Sequence, residues 1–198
     1  MINRVAPLKP PYETGLQATF DQVMRGKPPL LLFTTLARDP RLFGKFSNGS
    51  LLDRGHLTLR QREIVIDRTT ARCGSEYEWG VHVATFGAKV GLDAAQIHSL
   101  VHGGPDDACW PAEDRDLLRL CDALHAECTI DDALWQDLRA RFTEEAMLEL
   151  LMLAGFYRTV SYLTNALRLP LEDGAARFPP GAISSSASAG PRALDQAR

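Results

Sequence analysis

Residues 58–92 read TLRQREIVIDRTTARCGSEYEWGVHVATFGAKVGL, and this stretch decides the fold. Thr58 with Gln61 three residues later forms a capping box, in which each side chain satisfies an amide that the helix start leaves unpaired. Behind it, Leu59, Ile64, Ile66, Thr70 and Ala71 feed a helix ending near Cys73-Gly74. A second helix is expected from Glu76 to Val90, stopping at Gly91, where glycine suits the left-handed turn of a helix end. So short a connection packs the two helices antiparallel. No sustained alternation of apolar and polar residues suggests a strand.

Working outward, the same signals recur. A helix is expected from about Glu13 to Met24, ending at Gly26 and the Lys27-Pro28-Pro29 turn. Leu30 to Ala37 and Pro40 to Leu52 read as two more, with Pro40 suited to a first helical turn. Asp93 with Gln96 opens a helix that ends at Gly103-Gly104. Pro111 begins a longer one, Asp131 caps DALWQDLRARF, and Thr143 caps the most apolar helix, to about Leu169. The fold class is therefore all-α, a helical bundle built from antiparallel hairpins. Residues 1–173 form the expected single helical domain. From Gly174 the composition shifts to Gly, Ala, Ser and Pro, and residues 174–198 are expected to be a disordered tail.

A chain of 198 residues, 45% hydrophobic and 24% charged, can bury a sizeable core without a metal or disulfide to hold it. Its 22 basic residues are scattered among 25 acidic ones for a net charge of −3, which argues against a nucleic-acid partner. LLLFTTLA and LELLMLAGF are too short to span a bilayer, so no membrane partner is expected. The start MINRVAPLKPPYETG has no apolar core of a signal peptide, and a cytoplasmic location is the expectation. Cys73, Cys109, Cys121 and Cys128 do not form a secreted disulfide framework. Cys121 and Cys128, seven residues and thus about 10 Å apart on one helix, read as buried thiols.

The segment CGSEYEWGVH concentrates the chemistry. Ser75, Glu78 and His82 fall within about 60° of one another on a helix, beside the apolar Trp79, Val83 and Phe86. Partial desolvation there tunes a carboxyl and an imidazole for general acid-base work. An ordinary exposed ion pair has the same spacing, and spacing alone leaves both open. Glu63 sits mid-helix on the preceding element. One carboxylate and one imidazole make only half a metal site, so neither a metal nor a cofactor is expected. His98 and His102 read as solvent-facing residues near a helix end, and His125 as structural. Tyr157, Ser161 and Asn165 form a polar seam at i, i+4, i+8 in the last helix, weighted toward a structural role.

The pattern Leu59-Arg60-Gln61-Arg62-Glu63, then Cys73 to His82, then Gly91-Leu92, resembles the carboxymuconolactone decarboxylase and alkylhydroperoxidase D superfamily. The resemblance implies its helical fold and self-association into a homo-oligomer. In the peroxidase branch, a glutamate precedes a Cys-x-x-Cys-x-x-x-His motif by twelve residues. Here Glu63 and His82 take the glutamate and histidine places, while the two cysteine places fall on Ser75 and Glu78. A two-thiol peroxide cycle has no sulfur to run on at those places. The decarboxylase branch resembles Glu-x-x-x-His, which Glu78 to His82 fits. The resemblance thus implies proton transfer on a small lactone, carbonyl or carboxylate substrate. Glu63, Glu78 and His82 would be catalytic, and Ser75 and Tyr77 would bind substrate through their hydroxyls. The alternatives are a peroxiredoxin-type antioxidant acting through Cys73 and a non-catalytic oligomeric scaffold.

Overall fold

Residues 3–181 are described by the computed structural model, and the regular structure among them is all helical. In chain order the elements are α1 (Thr14–Met24), α2 (Leu31–Leu36), α3 (Pro40–Asn48), α4 (Leu59–Arg72) and α5 (Glu76–His82). A π-helical turn (Val83–Gly87) continues α5, followed by α6 (Ala94–His102), α7 (Ala112–Glu127), α8 (Asp132–Arg139) and α9 (Glu144–Leu167). The caps fall where the sequence puts them. Thr58 with Gln61 and Asp93 with Gln96 form complete capping boxes, while Asp131 and Thr143 accept from Leu134 N and Ala146 N.

Two elements end earlier than their periodicity suggests. α3 stops at Asn48, because Gly49 caps it and Leu51 turns into the left-handed region at φ 51°. The helix expected to reach Val90 keeps α-helical geometry only to His82. The carbonyl of Gly80 accepts the Ala176 amide from outside the helix at 3.0 Å, and just beyond it the ladder opens from i+4 to i+5 spacing.

α4 is the central element. Every residue from Glu63 to Thr70 is buried, with α5, α6, α7 and α9 packed around it. Its Ile64, Val65 and Ile66 meet Leu117, Leu118 and Leu120 of α7 and Leu150, Leu153 and Val160 of α9 in one core cluster. A smaller cluster, Phe20, Ala37 and Phe43, joins α1 to α2 and α3. Burying α4 also buries Arg68, a residue 1% exposed. It forms a fork with Asp122 of α7, both contacts at 2.7 Å, and donates to the carbonyls of Ser99, Leu100 and Gly103 at the end of α6. Three helices are thereby fixed to one side chain. Of the thiols read as buried, Cys121 is so, but Cys128 is exposed, because it lies past the end of α7 in a left-handed cap at φ 58°.

After α9 the chain does not leave the domain. The expected tail from Gly174 keeps contact with the helices as far as Pro179; residues 182–198 lie outside the described residues. The packed strap crosses α5. Glu172 accepts from Leu31 N and from the Tyr77 hydroxyl, Phe178 N donates to Glu76 at 3.0 Å, and the Phe178 ring meets Trp79 edge-on at 5.1 Å. Pro179 O then accepts from His102 Nε2 at 2.6 Å. A strap this close requires glycine at position 80, because a Cβ there would lie 2.3 Å from the Ala176 carbonyl oxygen. Gly80→Ala is therefore expected to lower stability by about 1–3 kcal/mol and to free the strap. Urea denaturation, and limited proteolysis at Arg177, would show both effects; unchanged midpoints and cleavage would refute the packing argument.

Candidate active site

Gly74, at φ +63°, makes the reversal that lays α5 against α4. Ser75 begins α5, and its hydroxyl meets Thr164 of α9 at 2.8 Å, both groups buried. These contacts bring the last residue of α5, His82, over the second turn of α4. There His82 Nδ1 lies 2.7 Å from Glu63 Oε2. A carboxylate only accepts, so Nδ1 carries the proton and the ring orientation is fixed. Its Nε2 faces two groups, Glu78 Oε1 at 3.4 Å and the Tyr157 hydroxyl at 3.2 Å. Tyr157 and His82 stack edge to face at 5.1 Å, with Phe86 on a further side of the imidazole at 5.6 Å.

The cluster is nearly dry. Glu63 is 0% exposed, His82 4% and Glu78 7%, so Glu78 is the member closest to solvent. Burial alone would lower the imidazole pKa, but the hydrogen bonds to Glu63 and Glu78, reinforced by their charge, push it up to about 10. His82 is an imidazolium at neutral pH, held between two carboxylates. Burial, with Glu78 and Glu63 nearby, raises the Tyr157 phenol well above its ordinary value, so it remains a hydroxyl. Arg62 completes the charge pattern, with Nε 3.5 Å from Glu63 Oε1. Chemically, this is a proton donor at Nε2, a carboxylate beside it whose Oε2 has no partner among the described residues, and a hydroxyl. No group of three or more His, Cys, Asp or Glu residues is arranged to hold a metal among the described residues.

Glu63, Glu78 and His82 thus come together, but Ser75 and Tyr77 do not join them. The Ser75 hydroxyl bonds Thr164, and the Tyr77 hydroxyl bonds Glu172 while accepting from Leu32 N at 3.1 Å. The hydroxyl at the imidazole belongs instead to Tyr157, the first member of the polar seam in α9. The other seam residues are structural: Ser161 donates to Tyr157 O at 2.8 Å and Asn165 to Cys73 O at 2.9 Å. Asp67, one turn after Glu63 on α4, is a further buried acid close enough to His82, Glu63 and Glu78 for their charges to act on it. Its i, i+4 spacing from Glu63 is the sequence signal. His125, read without a thiol partner, has Cys73 Sγ 3.8 Å from its Nδ1, brought there from another helix. Burial raises the Cys73 thiol pKa, outweighing Ser161 and Arg158.

The sequence matches the carboxymuconolactone decarboxylase family over residues 40–123. Several solved structures share the fold, among them the following three. An uncharacterized peroxidase-related protein from a Silicibacter species is 17% identical, with a TM-score of 0.74 over 87% of this chain and 93% of its own. The debrominase Bmp8, solved in complex with 2,3,4-tribromopyrrole, is 15% identical, with a TM-score of 0.72 over 88% of this chain and 94% of its own. An uncharacterized peroxidase-related protein from Ralstonia eutropha, with an alkylhydroperoxidase AhpD core, is 18% identical, with a TM-score of 0.65 over 87% and 95%. No curated protein matches the sequence.

The raised imidazole pKa fixes a sign. The folded protein holds a proton that the unfolded chain releases near its ordinary value of about 6.5. The stabilisation from His82 is therefore full below that value and is lost as pH rises toward about 10. His82→Gln leaves two buried carboxylates without their cation and is expected to cost about 3–5 kcal/mol below pH 6.5. The gap between the two proteins should narrow as pH rises through the window. A gap that stays constant or widens with pH, in denaturant titrations across it, would refute the assigned pairing.

Proposed function

We propose that the chain, whose residues 40–123 match the carboxymuconolactone decarboxylase family, is a member of the carboxymuconolactone decarboxylase and alkylhydroperoxidase D-like superfamily and an acid-base enzyme acting on a small lactone, carbonyl or carboxylate compound. One observation carries the reading: the His82 ring is clamped between Glu63 and Glu78 with its Nε2 edge toward Glu78 and Tyr157. His82 delivers its Nε2 proton to carbon or oxygen of the substrate. Glu78, through its unpartnered oxygen, accepts the proton that the substrate loses. The Tyr157 hydroxyl donates to the developing enolate or oxyanion, the task expected of Ser75 and Tyr77. Glu63 is a positioning residue that holds the ring and its charge.

The thiol alternative finds less support. Cys73 lies at the end of α4, half-buried, with a raised pKa that disfavours the reactive thiolate. A screen of small lactones and keto acids by mass spectrometry tests the choice. His82→Gln and Glu78→Gln are expected to lose turnover by a factor of about 100 or more, and Tyr157→Phe to lose less, while Cys73→Ser keeps it. Rapid peroxide consumption that vanishes in Cys73→Ser and survives in His82→Gln would instead establish the antioxidant. Absence of either activity would favour the scaffold.

We also propose that the chain forms a homo-oligomer through the outer face of α9. Leu148, Met152 and Tyr162 there are 64%, 63% and 59% exposed, large apolar surfaces left open on the most apolar helix. Sedimentation of the intact protein at micromolar concentration should show a species heavier than 21.8 kDa, and Met152→Arg should shift it toward the monomer. A monomer at every concentration would remove this proposal.

A further inference from the structure

Residues 49–57, which join α3 to α4, lie outside any helix, and their tip from Leu52 to His56 is exposed. Leu51 stands in the left-handed region at φ 51°, a conformation that a residue with a side chain keeps only when its neighbours are tied down. Ties hold both ends of the tip. Arg62 Nη1 donates to Leu52 O at 2.9 Å and to Asp53 O at 3.3 Å, while Glu149 of α9 accepts from His56 N at 2.6 Å. Gly55 lies so close to the Glu149 carboxylate that a Cβ there would push it away.

The same Arg62 faces the acid-base pair. Its side chain is only 14% exposed, and its Nε stands 3.5 Å from Glu63 Oε1. Neither of these two atoms has a hydrogen-bond partner among the described residues, so a buried donor and a buried acceptor answer one another by charge. The other oxygen of Glu63 is taken by His82 Nδ1 at 2.7 Å. A guanidinium is planar and rigid, so the grip of Nη1 on the loop carbonyls fixes where Nε stands. Loop carbonyls, Arg62, Glu63 and His82 thus form one continuous line of contacts.

We infer that Arg62 is a positioning residue of this site, which transmits the place of the 49–57 loop to Glu63 and so sets the His82 ring. Its meaning for catalysis rests on the acid-base reading. With the loop docked, Glu63 is held by Arg62 at one oxygen and by His82 at the other, and the ring turns Nε2 to Glu78 and Tyr157. With the loop lifted, the guanidinium loses the carbonyls that aim it, and Glu63 is free to turn. Arg62 itself touches no reacting atom.

The test uses the whole chain labelled with nitrogen-15, NMR, and no substrate. The Nδ1 proton of His82, protected in its bond to Glu63, should exchange with solvent about tenfold faster in Arg62→Gln than in the unmodified protein. Arg62→Lys keeps the charge but not the fork, and should exchange as fast as Arg62→Gln. Glu149→Ala frees the far end of the loop; it should speed the exchange when Arg62 is present and add nothing in Arg62→Gln. Backbone amides of α4 should keep their rates throughout. An unchanged His82 rate in Arg62→Gln, a normal rate in Arg62→Lys, an equal effect of Glu149→Ala with and without Arg62, or α4 amides accelerated by the same factor would each overturn the inference. Should Arg62→Gln fail to fold, Glu149→Ala decides alone: a faster His82 exchange beside steady α4 amides supports the inference, and an unmoved one removes it. A failed substrate screen would remove the acid-base reading and leave these rates as they are. Rates that do not respond would remove the role of Arg62 and leave His82 as the acid.

Discussion

A helix buried on every side must settle each polar group it carries inside the protein. α4 is such a helix from Glu63 to Thr70, and most of the architecture answers to it. Arg68 draws in Asp122 of α7 and the carbonyl end of α6. Glu63, on another part of the same helix, takes the imidazole of His82. The first group of contacts sets the bundle, and the second creates the chemistry. Both arise from one physical cost, that of a charge removed from water without a partner.

The hairpin of α4 and α5 positions functional groups by geometry that does not depend on which groups they are. At the two places where the peroxidase branch carries thiols, this chain carries Ser75 and Glu78. Ser75 ties the start of α5 to Thr164 of α9, which fixes the helix. Glu78 turns to His82 and adds the second negative charge that keeps the ring protonated. Tyr157, standing over the ring from α9, supplies a hydroxyl that the hairpin itself does not direct there.

The strap after α9 adds a constraint from outside. Its amide reaches the carbonyl of Gly80, its Phe178 covers Trp79, and its Glu172 holds Tyr77 to the start of α2. The face of α5 opposite α4 is thereby sealed. The helix that ends in His82 is gripped on both sides, which limits the motion of the ring its last residue carries.

Helix caps, helix order and the all-α class were legible in the sequence, because capping boxes, prolines and glycines act over three or four residues. Thr58 with Gln61 and Asp93 with Gln96 needed no partner from elsewhere in the chain. For Glu78 and His82, spacing by itself allowed an exposed pair, and it was the resemblance of the pattern that set Glu63 and His82 in one site. What remained hidden required contacts between distant segments. Tyr157 reaches His82 across 75 positions, Cys73 meets His125 across 52, and the strap returns to Gly80 from residue 176. Asp67 stood in plain view as a mid-helix acid, yet its burial depends on the helices packed around α4. Sequence periodicity can indicate which face of a helix is apolar, but only the packed helices show that α4 has no face left for water.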